Sequence, residues 1–290
     1  MQTVYIGNTL VNDMMLGSQR MDDVFTPLAP FNIEYLIVGG GGGSRGQSAG
    51  GGGGGGLLSG SATLLRNFTY KVQVGGGGTY SATPSTSKGS DSYLTGSSLY
   101  FIAEGGGFGA ALNAIGGNGG NGGGAGINVD NSTYYDGGTG SLGFNGGAGI
   151  NTANSGSGGG GGAGQAGNSV IWGKGGDGLQ SAIDGTLKYY AGGGGGERAV
   201  TAASVAGGLG GGASGSNDNA NGTNNLGGGA GGGQSGPVGG ANDGGNGIVI
   251  IRYQQPQKAT GGTVTTDGAF VIHTFTSSLN VTSANFDLLT

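Results

Sequence analysis

The chain has 290 residues and no cysteine, which excludes disulfide bonds, thiolate metal sites and a cysteine nucleophile. It has only five prolines, so it is neither a collagen nor a proline-rich linker. The ten lysines and arginines are scattered through a chain of net charge −5, so nucleic acid is not an expected partner. The N-terminus has no signal-peptide pattern, and no run approaches the roughly 18 apolar residues of a membrane span. We therefore expect neither export by a signal peptide nor membrane insertion.

Glycine, in contrast, is abundant: 81 of the 290 residues, several times the usual share of about 7%. Such a composition without a period normally favours disorder. Two features oppose that interpretation here. Only 9% of the residues are charged, and the other residues form apolar clusters such as "EYLIV" (34–38) and "GIVIIRY" (247–253). We therefore favour an ordered glycine-rich structure over a flexible linker.

The composition changes twice along the chain, which predicts three regions. Residues 1–33 contain two versions of a small hairpin, around "IGNT" and "LGSQ", and are interpreted as an N-terminal β-hairpin attachment segment. Residues 34–253 are the glycine-rich domain. Residues 254–290 are rich in threonine and β-branched residues and predict a small C-terminal β segment of two or three strands, with turns at "TDG" and "SSLN".

Short apolar segments within the glycine-rich region predict strands. "TYKVQV" alternates, with Tyr70, Val72 and Val74 on one face. "SYLTGSSLYFIA" is interpreted as one further strand-like segment. "EYLIV" and "GIVIIRY" are almost entirely apolar, as strands buried on both faces are, and we expect them to lie beside each other and close the domain. No segment of ten or more residues has a good helical stripe.

The glycine runs themselves predict extended helices with three residues per turn, which have no internal hydrogen bonds. If such segments are buried, neighbouring segments must satisfy every N–H and C=O, and a Cβ would block that approach. The predicted fold is therefore an all-β or irregular bundle of polyglycine II helices, closed by short strands and flanked by small β elements at both ends. We expect φ near −75° and ψ near +145° through residues 39–56, 158–164 and 192–196.

Several of these segments resemble a known family. "IEYLIVGGGGG", "YKVQVGGGG" and "GGNGIVIIRY" are similar to the glycine-rich domain of bacteriophage tail proteins, and "FVIHTFTSS" resembles a β motif often found beside it. The opening "VYIGNTLVNDMMLGSQ" resembles N-terminal segments of phage virion proteins. The resemblance implies a polyglycine II sandwich like that of long-tail-fibre tip adhesins, whose loops between glycine motifs contact the host receptor.

Motifs that suggest chemistry are weak. "GQSAG" (46–50) matches a nucleophile-elbow pattern but lacks the helix and the histidine partner that this pattern needs. The single histidine, His273, could serve a pH switch or a metal site, and is better interpreted as an ordinary strand residue. "DNSTYYD" (130–136) lacks the glycine and terminal glutamate of a calcium loop. We expect no enzyme activity, no catalytic residue, no metal and no cofactor.

Aromatic residues in the inserts between glycine runs are the more informative signal. The candidates for receptor contact are Tyr134, Tyr135, Trp172, Tyr189 and Tyr190. Tyrosine and tryptophan give a large contact area at low entropic cost, and loops on a rigid scaffold are where binding residues concentrate. The alternative is that these rings cap the ends of the bundle and shield it from water.

Taken together, the sequence favours a structural and adhesive phage virion protein, a tail-fibre or receptor-binding protein made in the host cytoplasm. Its expected partners are a host cell-surface protein or glycan and other virion or tail proteins, and we expect a homo-oligomer, with a trimer as one candidate. A purely structural fibre or capsid decoration subunit is the alternative. A third hypothesis is an ice-binding protein, although ice binding needs a flat regular face and these inserts are irregular and aromatic.

Overall fold

The computed structural model describes most of residues 29–276 in full, and it describes only the backbone of five further strands. The fully described ranges are 29–46, 48–66, 68–79, 87–127, 134–149, 156–169, 173–197, 204–215, 220–233 and 242–276. Backbone alone is described for residues 5–6, 9–10, 15–16, 19–20 and 282–288.

The regular elements of these residues are all β-strands, which confirms the predicted all-β class. In chain order they are β1 Tyr5–Ile6, β2 Thr9–Leu10, β3 Met15–Leu16, β4 Gln19–Arg20, β5 Phe31–Val38, β6 Leu57–Leu64, β7 Thr69–Val74, β8 Ser92–Gly96, β9 Leu99–Ala103, β10 Leu179–Ser181, β11 Lys188–Tyr190, β12 Ile248–Gln254, β13 Ala259–Thr260, β14 Thr263–Asp267, β15 Phe270–Thr276 and β16 Thr282–Leu288.

Two five-stranded antiparallel sheets pack face to face. Sheet I has the order β14-β15-β12-β5-β6, and sheet II has the order β13-β16-β7-β8-β9. In sheet I, β5 pairs with β12 in a register that joins Val38 to Ile248 and Glu34 to Arg252. The prediction that "EYLIV" and "GIVIIRY" lie side by side is therefore confirmed.

Apolar alternation explains how the sheets pack. In β7, Tyr70, Val72 and Val74 are buried on one face, and they look across the core between the sheets toward β12 and β15, while Ile33 and Ile37 of β5 belong to the same core. The other face of β5, with Leu36 and Val38, packs in a second cluster with residues of the glycine-rich region. Strands β5 and β12 are therefore buried on both faces, which is why their sequences are almost continuously apolar.

The remaining strand predictions are confirmed with two corrections. β1 pairs with β2 and β3 with β4, so residues 1–33 contain the two expected hairpins. "SYLTGSSLYFIA" is wrong as a single strand, because Gly96 and Ser97 have positive φ and turn the chain between β8 and β9. The C-terminal region, for which the sequence predicts two or three strands, contains four in its described residues, β13 to β16, which pair within both large sheets rather than forming a separate unit.

The strands continue directly into glycine segments. β5, β7 and β9 run into residues 39–43, 75–78 and 104–110, while residues 50–56 and 242–247 lead into β6 and β12. The two runs "GGGGG" and "GGGGGGG" are thus consecutive segments, separated by a turn in which Gly46 and Ser48 have positive φ.

Backbone hydrogen bonds in these segments repeat every three residues. Residues 39 and 42 donate to segment 50–56, residues 40 and 43 to segment 87–90, and residues 41 and 44 to segment 242–245, with N···O distances of 2.8–3.0 Å. A helix with three residues per turn has three faces, each directed at a different neighbour. This repeat supports the polyglycine II assignment, which stays a prediction.

The longest glycine run, residues 50–56, lies at the centre of this network. Its backbone is bonded to six other segments, and each of the six is bonded to the next, so they close a ring around it. The six are 39–43, 104–110, 121–125, 158–161, 191–194 and 227–230. We call the whole arrangement of hydrogen-bonded glycine segments the lattice.

Packing in the lattice leaves no room for a side chain. A Cβ on Gly52 would lie 2.0 Å from the carbonyl oxygen of Gly42, and a Cβ on Gly53 would lie 2.3 Å from that of Asn121. Both distances are far below van der Waals contact. Glycine is therefore required by the close approach of the backbones, as expected from the sequence.

His273 lies in the core of the sandwich and is fully buried. Its Nδ1 donates to the carbonyl oxygen of Gly261 at 2.8 Å, so its Nε2 accepts from the hydroxyl of Tyr253, also at 2.8 Å. The Tyr253 hydroxyl in turn accepts from the backbone N–H groups of Lys258 and Ala259. Burial lowers the pKa of His273, although the bond to Gly261 acts in the opposite direction. The geometry fits a neutral imidazole that joins β12, β15 and the connection at residue 261.

We predict that Gly53→Ala strongly destabilises the fold. The added Cβ would force the segments apart and leave buried N–H and C=O groups without partners, at about 1–3 kcal/mol for each group. The free energy of unfolding, measured by chemical denaturation, should fall by at least about 2 kcal/mol. The matched control is Gly268→Asn, because Gly268 has φ of +54°, a conformation that asparagine adopts, and no atom near its Cβ position. Equal stability of the two variants would contradict lattice packing.

We also predict that the protein loses stability as the pH falls from 7 to 5. Because the pKa of His273 is lowered by folding, the unfolded chain binds this proton first, and stability is lost as the pH falls below the ordinary value of 6.5. The loss is at most about 1.4 kcal/mol per pH unit. Melting temperatures across this range should fall for the natural chain and stay level for His273→Gln. If the melting temperature of His273→Gln still falls with pH, the loss of stability belongs to another titrating group.

Candidate functional site

The lattice has two different ends. At one end its segments continue into the two sheets, and we call this the sheet end; it includes residues 38–39, 56–57, 103–104 and 247–248. The opposite end is formed by turns and by the residues that flank undescribed stretches of chain. We call it the loop end, and it consists of residues 44–46, 48–50, 110–116, 126–127, 134–136, 147–149, 156–157, 169, 173, 196–197, 204–205, 214–215, 220 and 231–233.

The hydrogen-bond register places these flanking residues together. Glu197 donates to the carbonyl oxygen of Ala49, and Ile127 donates to that of Ser48. Gly149 donates to Tyr135, and Val205 pairs with Gly215. Within residues 39–247, every longer stretch that the structure leaves undescribed therefore starts and ends at or next to the loop end. These stretches are 80–86, 128–133, 150–155, 170–172, 198–203, 216–219 and 234–241.

Buried polar side chains fix the bases of these connections. The Ser157 hydroxyl donates to the carbonyl oxygen of Ala49 at 2.8 Å and accepts from the N–H of Glu197. The Asn242 amide donates to the carbonyl oxygen of Gly231 at 2.8 Å and accepts from the N–H of Ala220 at 3.0 Å. Serine and asparagine here replace backbone partners at the margin of the lattice, so the residues that lead into each connection are held rigidly.

Exposed apolar side chains occur at the loop end. Tyr134 is 71% exposed and Ile115 is 64% exposed, and Leu112 is exposed as well. The turn that carries Leu112 and Ile115 is bonded to this neighbourhood, because Asn113 donates to Ile127 and Gly116 donates to Asp136. Tyr135 is partly buried and pairs with Gly149. The backbone bonds therefore bring the turn that carries Leu112 and Ile115 next to the segment that begins at Tyr134.

Sequence reasoning missed Leu112 and Ile115. The stretch "GAALNAIGG" does interrupt the glycine pattern with two large aliphatic residues, which could have served as a signal. Aliphatic residues give a weak binding signal in a sequence, because most of them lie in the core of a folded protein.

The structure does not place the other sequence candidates beside Tyr134. Trp172 lies outside the described residues, although the flanking residues Ser169 and Gly173 belong to the loop end. Tyr189 and Tyr190 belong to the β10–β11 hairpin at the sheet end, far from Tyr134. Tyr190 is only 1% exposed and packs with Leu36 and Ile250 of the second apolar cluster, which is the capping arrangement considered as the alternative.

Tyr190 is also part of a buried polar contact. Its hydroxyl lies 3.3 Å from Oδ2 of Asp184, which also forms an ion pair with Lys188 at 2.5 Å. Burial and the neighbouring carboxylate raise the pKa of Tyr190. Burial also raises the pKa of Asp184, but the hydrogen bonds from Lys188 and Thr186 outweigh it, so that pKa is lowered overall. Tyr190 is therefore a neutral structural residue and not a surface contact.

The described residues contain no group of three or more histidine, aspartate or glutamate side chains that could hold a metal ion. In the same part of the chain, no helix has the length and hydropathy needed to cross a membrane. What the loop end offers is a surface of apolar side chains and chain connections on a rigid support.

Comparison with known proteins identifies the lattice region. A family model described as a glycine-rich domain matches residues 23–254, which include the whole lattice and strands β5 to β12. No curated protein and no solved structure matches the chain. The matched range covers most of the chain, and the chain therefore belongs to the glycine-rich domain family.

Proposed function

We propose that this protein is a structural and adhesive bacteriophage virion protein, a tail-fibre or receptor-binding protein that contacts the host surface through the loop end of a polyglycine II scaffold. The observation that carries the proposal is the convergence of the chain connections on one end of a glycine lattice. Binding residues concentrate on loops that a rigid scaffold positions, and the lattice is such a scaffold.

The position of the N-terminal segment supports an attachment role for it. β5 begins at Phe31, at the end of sheet I that lies away from the lattice, and runs through residue 38 into the lattice, so residues 29–30 lie at the opposite extreme from the loop end. The eight residues of β5 and the six residues 39–44 together span roughly 45 Å between Phe31 and the loop end. One end is thus available for the virion while the other faces outward.

The chemistry of the described loop end favours recognition by apolar burial and stacking. Tyr134, Ile115 and Leu112 present exposed apolar side chains, and the described residues of the loop end include few charges. Aromatic and large aliphatic anchors account for much of the binding energy in protein interfaces, and aromatic rings also stack on sugars. A host cell-surface protein or glycan is the partner that this surface fits.

We predict that the purified, fluorescently labelled protein binds cells of some strains in a panel of bacterial hosts. The double substitution Tyr134→Ala and Ile115→Ala should lower the affinity for those cells at least tenfold, about 1.4 kcal/mol, because both side chains are exposed at the loop end. The matched control is Leu187→Ala with Tyr189→Ala at the sheet end, which should bind as the natural chain does. Melting temperatures of both variants establish that they are folded.

Two results would contradict the proposal. If no strain binds the protein and electron microscopy places it along a fibre or over a capsid, the purely structural role takes its place. If the sheet-end variant loses binding while the loop-end variant keeps it, recognition lies at the opposite end of the lattice.

A further inference from the structure

One flank of the sandwich ends in two strands whose outer sides are unpaired. β6 is the last strand of sheet I and β9 is the last strand of sheet II, and among the described strands none pairs with the outer side of either. β6 and β9 face each other across the sandwich. Beside them, the ring of Tyr35 in sheet I stacks on the ring of Phe101 in β9, with 4.6 Å between the ring centroids. We call this surface the β6–β9 flank.

β6 lacks the charges, prolines and bulges that usually protect a sheet edge. It has eight residues, "LLSGSATL", with no charge and no proline, and all eight pair with β5 without a bulge. Every second residue of an edge strand points its N–H and C=O outward, so a long neutral edge is a template for another strand. The edge on the other side of sheet I differs, because β14 is shorter and ends in Asp267.

We propose that β6 pairs in an antiparallel manner with β6 of a second copy of this chain, about a twofold axis at Ser61. Opposite residues of antiparallel strands point to the same face, and the pairing with β5 puts even-numbered residues of β6 toward the core and odd-numbered residues away from it. An axis at Ser61 respects this alternation in both copies.

This register is self-complementary. It places Leu58 opposite Leu64 of the second copy and Leu57 opposite Leu65, which is 43% exposed in the single chain. Ser59 meets Thr63, so hydroxyls face hydroxyls on the outer side. The edge carries no charge, so two copies do not repel each other there despite the net charge of −5. Tyr100 of β9, the most exposed large apolar side chain described, lies on the same flank and adds contact area.

The resulting dimer joins the two copies of sheet I into one continuous sheet and removes both β6 edges. Because the strands are antiparallel, the two loop ends point to opposite poles and the two N-terminal segments leave near the centre. The pairing is independent of the proposed function, since a single chain carries a complete loop end.

Light scattering coupled to size exclusion, across about a hundredfold range of protein concentration, tests the proposal. We expect a concentration-dependent dimer of twice the 27.5 kDa chain mass for the natural protein. Ser61→Lys should convert it to a monomer, because two ammonium groups then face each other across the axis. Thr263→Lys, which adds the same charge to the exposed β14 edge, should leave the dimer unchanged. Circular dichroism establishes that both variants are folded.

Single cysteines test the register, because the natural chain has none. Ser61→Cys should form an intermolecular disulfide under mild oxidation, since opposite residues have Cα atoms about 5 Å apart. Ser59→Cys should not, because its copies lie four positions apart, roughly 13 Å along the strands. A monomer or a trimer at all concentrations, a dimer that survives Ser61→Lys, or a disulfide that forms equally well at both positions would each overturn the proposal.

Discussion

This structure depends on one interaction: the hydrogen bond between the backbones of glycine segments, which can lie in direct contact because no side chain separates them. In the two sheets, the layers are separated by interdigitated side chains, at a spacing of about 10 Å that is typical of stacked sheets. Where the strands continue into glycine, the same layers come close enough for direct bonds, as between Gly40 and Ser90 or Gly56 and Glu104, at 2.7–3.0 Å. The protein thus contains one set of chain segments packed in two ways, and the presence or absence of a Cβ decides which one applies.

This constraint accounts for the residues that are not glycine within the lattice. Small side chains such as Ala125 and Ala230 occur within two of the six segments of the ring, Ala49 precedes the central run, and each of the three is fully buried. Asn121 is buried as well, and its amide donates to the carbonyl oxygens of Gly54 and Gly55. A polar side chain can therefore enter the lattice only where it takes over hydrogen bonds that a neighbouring backbone would otherwise make.

The lattice fixes the ends of many connections, because the residues that flank them are bonded to one another at the loop end. In the proposed function, the lattice is the scaffold that positions the binding residues. The proposed edge pairing uses the opposite kind of surface, a regular strand whose main-chain groups bind any matching strand. The trimer considered from the sequence and the dimer inferred from β6 differ because composition does not reveal which strand forms an edge.

Much of the fold follows from local sequence. Tyr70, Val72 and Val74 alternate as a half-buried strand must, and the apolar segments around Leu36 and Ile250 could be assigned to a doubly buried pair because strands covered on both faces have no polar alternation. The glycine runs predicted segments whose close approach excludes a Cβ, and the run at residues 50–56 lies at the centre of the ring of six.

What the sequence did not determine is which segments are neighbours and which end of the lattice each insert reaches. Tyr134 and Tyr190 looked alike as aromatic residues beside glycine, yet the first is exposed at the loop end and the second is buried at the sheet end. The reason is physical: glycine segments carry no side chains that distinguish one neighbour from another. Their direction and order are therefore decided only when the strands attached to them, with their specific apolar faces, pack into the two sheets.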